Sequence, residues 1–265
     1  MTYEWLALSA AFLWALASLL SVKPALHLGT FAYSRWRMGL TSMTLSAVVL
    51  ISGQWVTLNM SAILILAISG LIGIFVGDTA LFACLNRMGP RQAGLLFSCH
   101  AVFSAFMGYF LFQETLSLIE IGASSLVFLG VITAIFFGRS KRSGDNLEKL
   151  KGNIAVGISL GVIAALCQAV GSLLAKPIMQ TSVDPITGSA VRVITAFIAH
   201  SILFLSGAKI ARATQKINLN IFMVTFLNGF LAMTLGMTLI LFALQGGNVG
   251  MVALLSSTTP IMLLP

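Results

Sequence analysis

Eight apolar stretches of near-bilayer length follow one another along this chain, near residues 5–22, 31–51, 61–83, 93–112, 118–138, 153–174, 186–206 and 219–243. A ninth begins near 248. Each approaches the roughly 20 residues that a helix needs to cross the hydrocarbon core. Lipid offers no hydrogen bonds to exposed peptide groups, so such stretches fold as helices that satisfy their own backbone. A soluble domain carries roughly a quarter charged residues; here 8% are charged and 58% hydrophobic. The predicted class is therefore an all-α polytopic membrane protein. The opening MTYEWLALSA lacks the positive region of a signal peptide, so the first stretch reads as a retained spanning helix.

The stretches are not independent. Gly77 to Ser98, GDTALFACLNRMGPRQAGLLFS, returns 159 positions later as Gly236 to Ser257, GMTLILFALQGGNVGMVALLSS, with identity at 77, 79, 85, 95, 96 and 98. Lys23-Pro24 closes the first stretch and Lys176-Pro177 the sixth. The chain therefore reads as two copies of one unit, 1–138 and 153–265, joined by the hydrophilic linker 139–152. Duplicated halves of this kind are common in secondary transporters, with the solute site between them.

Basic residues fall on one side of this arrangement. The loops after the first, third, fifth and seventh stretches hold Lys23; Arg87 and Arg91; Arg139, Lys141, Arg142, Lys149 and Lys151; and Lys209, Arg212 and Lys216, against Lys176 alone opposite. Lys and Arg accumulate on the cytoplasmic side, which puts the linker in the cytoplasm and the N-terminus outside. Loop 3–4 is basic and its copy, Gly246-Gly247-Asn248, is uncharged; loop 2–3 is uncharged and its copy is basic. Five helices per unit would invert the second unit and produce this exchange. The net charge of +8 is thus a topological signal, and nucleic acid is not expected as a partner.

The repeat, the segment 77–132 with its Gly-Pro turn and a fourth helix ending in Glu114, and the Thr259-Pro260 pair in LLSSTTPIMLLP together resemble the drug/metabolite transporter superfamily, specifically its ten-helix EamA-type members. The resemblance spans nearly the whole chain. It implies two inverted five-helix repeats in a plasma (inner) membrane and a small-molecule solute as partner, with no cofactor. By the 159-residue offset Pro265 corresponds to Phe106. About nine transmembrane helices are therefore expected here, with the second repeat truncated within helix nine.

Ionisable residues inside the membrane are costly and default to functional hypotheses. Asp78, about five residues from the end of its stretch, is a candidate proton- or solute-binding carboxylate, or else a structural acid reaching Arg87 or Arg91. Arg192 offers a fixed fork of donors for an anionic solute group, or else forms a buried pair with Asp78 or a helix-end carbonyl. Arg35 and Arg37 are expected to snorkel to headgroups. His100 and His200 are mid-stretch; each reads as a packed neutral imidazole or as a proton relay. Trp14, Gln168, Asn228 and Ser98 could line a polar pocket at the bilayer midplane or bond neighbouring helices. Trp14 and Gln168 fall at near-equivalent places in the two units.

Other features have structural readings. Ser117-x-x-Glu120 is a capping box, Asp184-Pro185 an N-cap with a first-turn proline, and Glu114 an interfacial structural acid. Gly73-x3-Gly77 and Gly157-x3-Gly161 allow close helix approach. Cys84, Cys99 and Cys167 show no metal-like spacing, and no metal site is expected. Phe75-Val76-Gly77-Asp78 lacks the first glycine of a GxGD protease motif, Gly122-Ala123-Ser124 lies in a small-residue packing stretch, and no Walker A sequence is present. The expected function is secondary transport, with a proton as the candidate coupling ion. A non-transporting receptor or assembly factor is the alternative, and an intramembrane enzyme ranks last.

Overall fold

The computed structural model describes residues 2–115, 117–137 and 153–263, so the linker 139–152 lies outside the described residues. Nine helices carry them: α1 (Thr2–Leu28), α2 (Thr30–Ser52), α3 (Met60–Met88), α4 (Pro90–Phe112), α5 (Leu118–Phe137), α6 (Ile154–Met179), α7 (Pro185–Leu205), α8 (Leu219–Leu244) and α9 (Val249–Ser256). Among the described residues, α1, α3, α4, α6, α7 and α8 are long and apolar enough to cross a membrane. At 23 and 20 residues, α2 and α5 are also of spanning length.

The starts of these helices are written in short-range chemistry. Asn59 accepts from Ala62 N at 2.8 Å, and Asn218, 159 residues on, accepts from Ile221 N at 2.9 Å. Asp184 takes Thr187 N at 2.9 Å ahead of Pro185. The Ser117–Glu120 box closes in both directions, at 2.7 and 3.2 Å. Each bond satisfies a donor that the first helical turn leaves open.

The structure departs from the sequence reading in three ways. Helices α1 and α6 run through Lys23-Pro24 and Lys176-Pro177 to Leu28 and Met179, because the flanking Ala25, Ala175 and Ile178 are buried and hold the last turn. Helix α3 runs to Met88, which leaves Asp78 ten residues from its end instead of five. At 1.5 Å per residue that is about 15 Å. The third difference is a break: α9 stops at Ser256 and the chain turns through Thr258 before a short 3₁₀ turn at Ile261–Leu263. Ser256, Ser257, Thr258 and Thr259 each donate a hydroxyl to a carbonyl three residues back, at 2.7–3.0 Å. This local bonding competes with the helix ladder, and Pro260 supplies no amide to extend it. Helix α4 is interrupted at the matching place, Cys99.

Helices α3 and α8 each contain a widened π turn, Leu71–Asp78 and Phe230–Met237, again 159 residues apart. Packing follows the same pairing. Helix α1 lies on α8 as α6 lies on α3, while α2 meets α7 and α4 meets α9. Except for α5, which packs chiefly on α4 of its own unit, the main neighbours of each helix thus belong to the other unit, and the core sits between the units. Equivalent residues touch where Ser98 Oγ donates to Ser257 O at 3.3 Å. Outward-facing Trp5, Phe12, Leu50, Ile51, Leu126, Ile202 and Leu205 are exposed, forming the apolar surface that lipid requires.

Candidate functional site

A cavity of about 110 Å³ opens between the units. Its walls come from α1, α2, α3, α4, α6 and α8 and from the broken end of α9. Of the candidates singled out from the sequence, Asp78, Trp14, Gln168, His100, Asn228 and Ser98 line it, and Arg192 and His200 do not. The cavity reaches Pro90, the first residue of α4, at the end where α3 turns into α4.

The polar end is a chain of bonds across four helices. Asn228 on α8 donates from Nδ2 to Ala17 O of α1 at 2.6 Å and accepts from Arg37 Nη1 at 3.4 Å. Arg37 Nη2 is paired with Asp78 Oδ2. The Arg37 guanidinium also lies 4.6 Å from the Phe82 ring centre, a cation–π contact that desolvation strengthens. Arg37 is 3% exposed. The expectation that it snorkels to headgroups is overturned, and so is the pairing of Asp78 with Arg87 or Arg91. Arg35 alone behaves as an edge residue, stacked 3.7 Å over Phe204 and donating to Ala211 O at 3.3 Å.

Trp14 presents its ring and not its N–H, because Nε1 donates to Ala232 O at 3.0 Å. Ala232 lies within the second π turn, where the widened ladder leaves a carbonyl for an outside donor. Trp14 and Cys167 fill matching places against Gly236 and Gly77, 159 residues apart, so the partner position of Trp14 is Cys167, one residue from Gln168. His100 faces the cavity with Nε2 unpaired. His200 lies outside it, 3.4 Å from Thr79 Oγ1 and edge-on to Phe75 at 4.7 Å.

Arg192 on α7 is fully buried. Its guanidinium lies against Gly73 of α3 and Gly171 of α6 and donates from Nη1 to Met237 Sδ at 3.2 Å. The small residues of Gly73-x3-Gly77 therefore admit a charged side chain as well as a helix. The pairing of Arg192 with Asp78 does not form.

A second buried ion pair lies beyond the cavity. Lys176 of α6 pairs with Glu114, which also accepts from Val249 N at 3.0 Å and Gly250 N at 3.4 Å at the start of α9. Gln113, at φ 54°, turns the chain back so that Glu114 can reach inward. Glu114 is thus a structural acid, buried as a clamp between the units. Lys23, the sequence counterpart of Lys176, is exposed.

Arg37 is the residue that sequence reasoning missed. The available signal was spacing: Gly70 packs on the Arg192 backbone and Gly229, 159 residues later, on that of Arg37, which makes the two arginines counterparts. Among the described residues no group of three or more His, Cys, Asp or Glu is placed to hold a metal ion.

Comparison with known proteins gives two findings. A family model described as the EamA-like transporter family matches residues 1–136 and 155–264. Twelve solved chains match. One of them, a crystal structure of a protein, shares 14% identity over 98% of this chain and 85% of its own, with a TM-score of 0.73. At that identity the likeness is one of fold. No curated protein matches the chain.

Proposed function

The chain belongs to the EamA-like transporter family, and on that premise we propose that it moves a small solute across the bilayer by alternating access between its two units. The observation that carries this reading is the cavity. It lies between pseudo-equivalent units, next to the interruption in α4 and the end of α9, and five polar residues from five helices converge on it. Binding sites at the midplane beside discontinuous helices are how duplicated transporters hold a solute while one unit rocks against the other.

Within this reading, Trp14, Phe82 and Phe97 supply an apolar wall, and Gln168, His100 and Asn228 the hydrogen-bonding groups. Asp78 is the candidate coupling carboxylate: protonation would release Arg37 and let the Arg37–Asn228 chain rearrange. The cavity's extension toward Pro90 corresponds to an inward-facing state if the basic loops are cytoplasmic, with the Glu114–Lys176 clamp closing the outer end. A reporter in the linker 139–152 should then be cytoplasmic and one at the N-terminus external.

The deciding experiment is flux in proteoliposomes with amino acids, carboxylates, sugars and amphiphilic amines as candidate solutes. Saturable uptake of one class, driven by a pH gradient, is expected. Asp78→Asn should abolish gradient-driven uptake and keep solute exchange, since an amide cannot titrate. Gradient-driven uptake that persists in that variant would remove Asp78 from coupling. No saturable flux of any class would favour a receptor or assembly role.

A further inference from the structure

Arg37 and Arg192 occupy counterpart positions, packed by Gly229 and Gly70 respectively. The residue that Arg37 meets is Asp78; its counterpart 159 positions on is Met237, and that is the residue Arg192 meets, at 3.2 Å. A thioether is a weak acceptor and carries no charge, while a guanidinium stays protonated. Arg192 is fully buried, its Nε and Nη2 have no partner, and it forms no ion pair among the described residues. One cavity carboxylate therefore stands against two buried guanidinium groups. The unbalanced charge is held at a depth where an unpaired ion is strongly disfavoured.

Met237 separates this charge from the cavity, since it touches Arg192 on one side and lines the cavity on the other. Its side chain has three rotatable bonds and adapts readily. Resting on the transport reading, we propose that the solute is an organic anion whose carboxylate or phosphate displaces the Met237 thioether and pairs with Arg192. It would take the place that Asp78 holds beside Arg37, with the solute's apolar body against Trp14, Phe82 and Phe97. The planar fork of Arg192 suits a two-oxygen group.

The test uses purified protein in detergent, with thermal unfolding read against benzoate and phenyl phosphate, their uncharged and cationic relatives benzamide and benzylamine, and free chloride and inorganic phosphate. A saturable rise in Tm is expected with an aromatic anion and not with benzamide or benzylamine. Arg192→Gln should weaken that response at least tenfold. Met237→Asp, which supplies the missing carboxylate in place, should raise the Tm of the ligand-free protein and lose the response. Met237→Leu should keep it, so that a poorly folding Asp variant does not decide the matter.

No saturable shift with either aromatic anion, an equal shift with benzamide, or a response that survives Arg192→Gln would overturn the proposal. A response to chloride or phosphate alone would assign Arg192 to an inorganic ion and reject the organic one. Flux separates the two levels of the argument. Saturable transport of a neutral or cationic solute that does not depend on Arg192 rejects the anion and keeps the transporter. Anion binding without flux of any solute rejects the transporter and keeps the site.

Discussion

Where the π turn of α3 meets α2, Asp78 faces Arg37; where the matching turn of α8 meets α7, Met237 faces Arg192. Around this difference the two units agree closely. The caps Asn59 and Asn218, the widened turns, the glycines at 70 and 229, and those at 77 and 236 all recur in register. What recurs is what sets helix starts, local pitch and closest approach. What differs is charge. Duplication preserves the backbone devices that let two units fit each other, whereas the residues facing the cavity are free to diverge, and the site is built from that divergence.

The largest contrast is expected when both arginines receive the same substitution. Arg37→Met strands the buried Asp78, and removing one partner of a buried pair costs about 3–5 kcal/mol. Arg192→Met removes a charge that already lacks a partner, and exchange of buried charge for apolar volume ranges from neutral to about 1–4 kcal/mol stabilising. Denaturation in a fixed detergent should give opposite signs. Equal losses would mean that Arg192 has a partner as good as Asp78.

At the backbone level the two units differ at their glycines. A Cβ on Gly70 would overlap the main chain of Arg192, which cannot swing aside, whereas one on Gly229 would lie 2.6 Å from Thr41 Oγ1, which can rotate. Gly70→Ala should cost about 3 kcal/mol, the upper part of the overpacking range, and Gly229→Ala about 1 kcal/mol, the lower part. A reversed order in Tm would show that the two crossings are not built alike.

The lysines test whether the two ends differ as their burial does. Lys176→Met leaves Glu114 buried with only the Val249 and Gly250 amides, and should lower stability by about 2 kcal/mol, the cost of an unpaired buried charge softened by those donors. Lys23→Met, at an exposed position, should stay within about 0.5 kcal/mol. A matching loss at Lys23 would place it in a clamp of its own.

Much of the candidate site was legible in advance as single residues. Asp78, Trp14, Gln168, His100 and Asn228 stand out because a polar group in an apolar stretch needs a reason, and all five reach the cavity. Arg37 did not stand out, since its stretch also carries Arg35 a short way from a helix start, and sequence cannot separate an arginine that reaches water from one turned inward. Residues 35 and 37 lie about 200° apart around the helix at 3.6 residues per turn, so they face opposite ways. Arg35 stacks at the edge on Phe204, while Arg37 enters the core. The polar close of α3, Asn86 and Arg87, reads as loop, which places Asp78 too near the end of its helix. Asn86 instead bonds Ala25 O and Thr30 Oγ1, at 3.2 and 3.1 Å, which holds the last turn in place.

Readable from the linear chain are the class, the number and order of the spans, the duplication and the helix starts at Ser117 and Asp184. Those depend on hydropathy summed over about twenty residues and on bonds between neighbours three or four positions apart, both of which a linear string records. That Arg37 takes Asp78, that Arg192 is left with Met237, and that Glu114 clamps α6 to α9 follow from the packing of the helices. Those outcomes turn on which face each helix presents to helices of the other unit. In a chain that is apolar on nearly every side, periodicity does not say which face that is; close approach at Gly70, Gly73, Gly171 and Gly229 does.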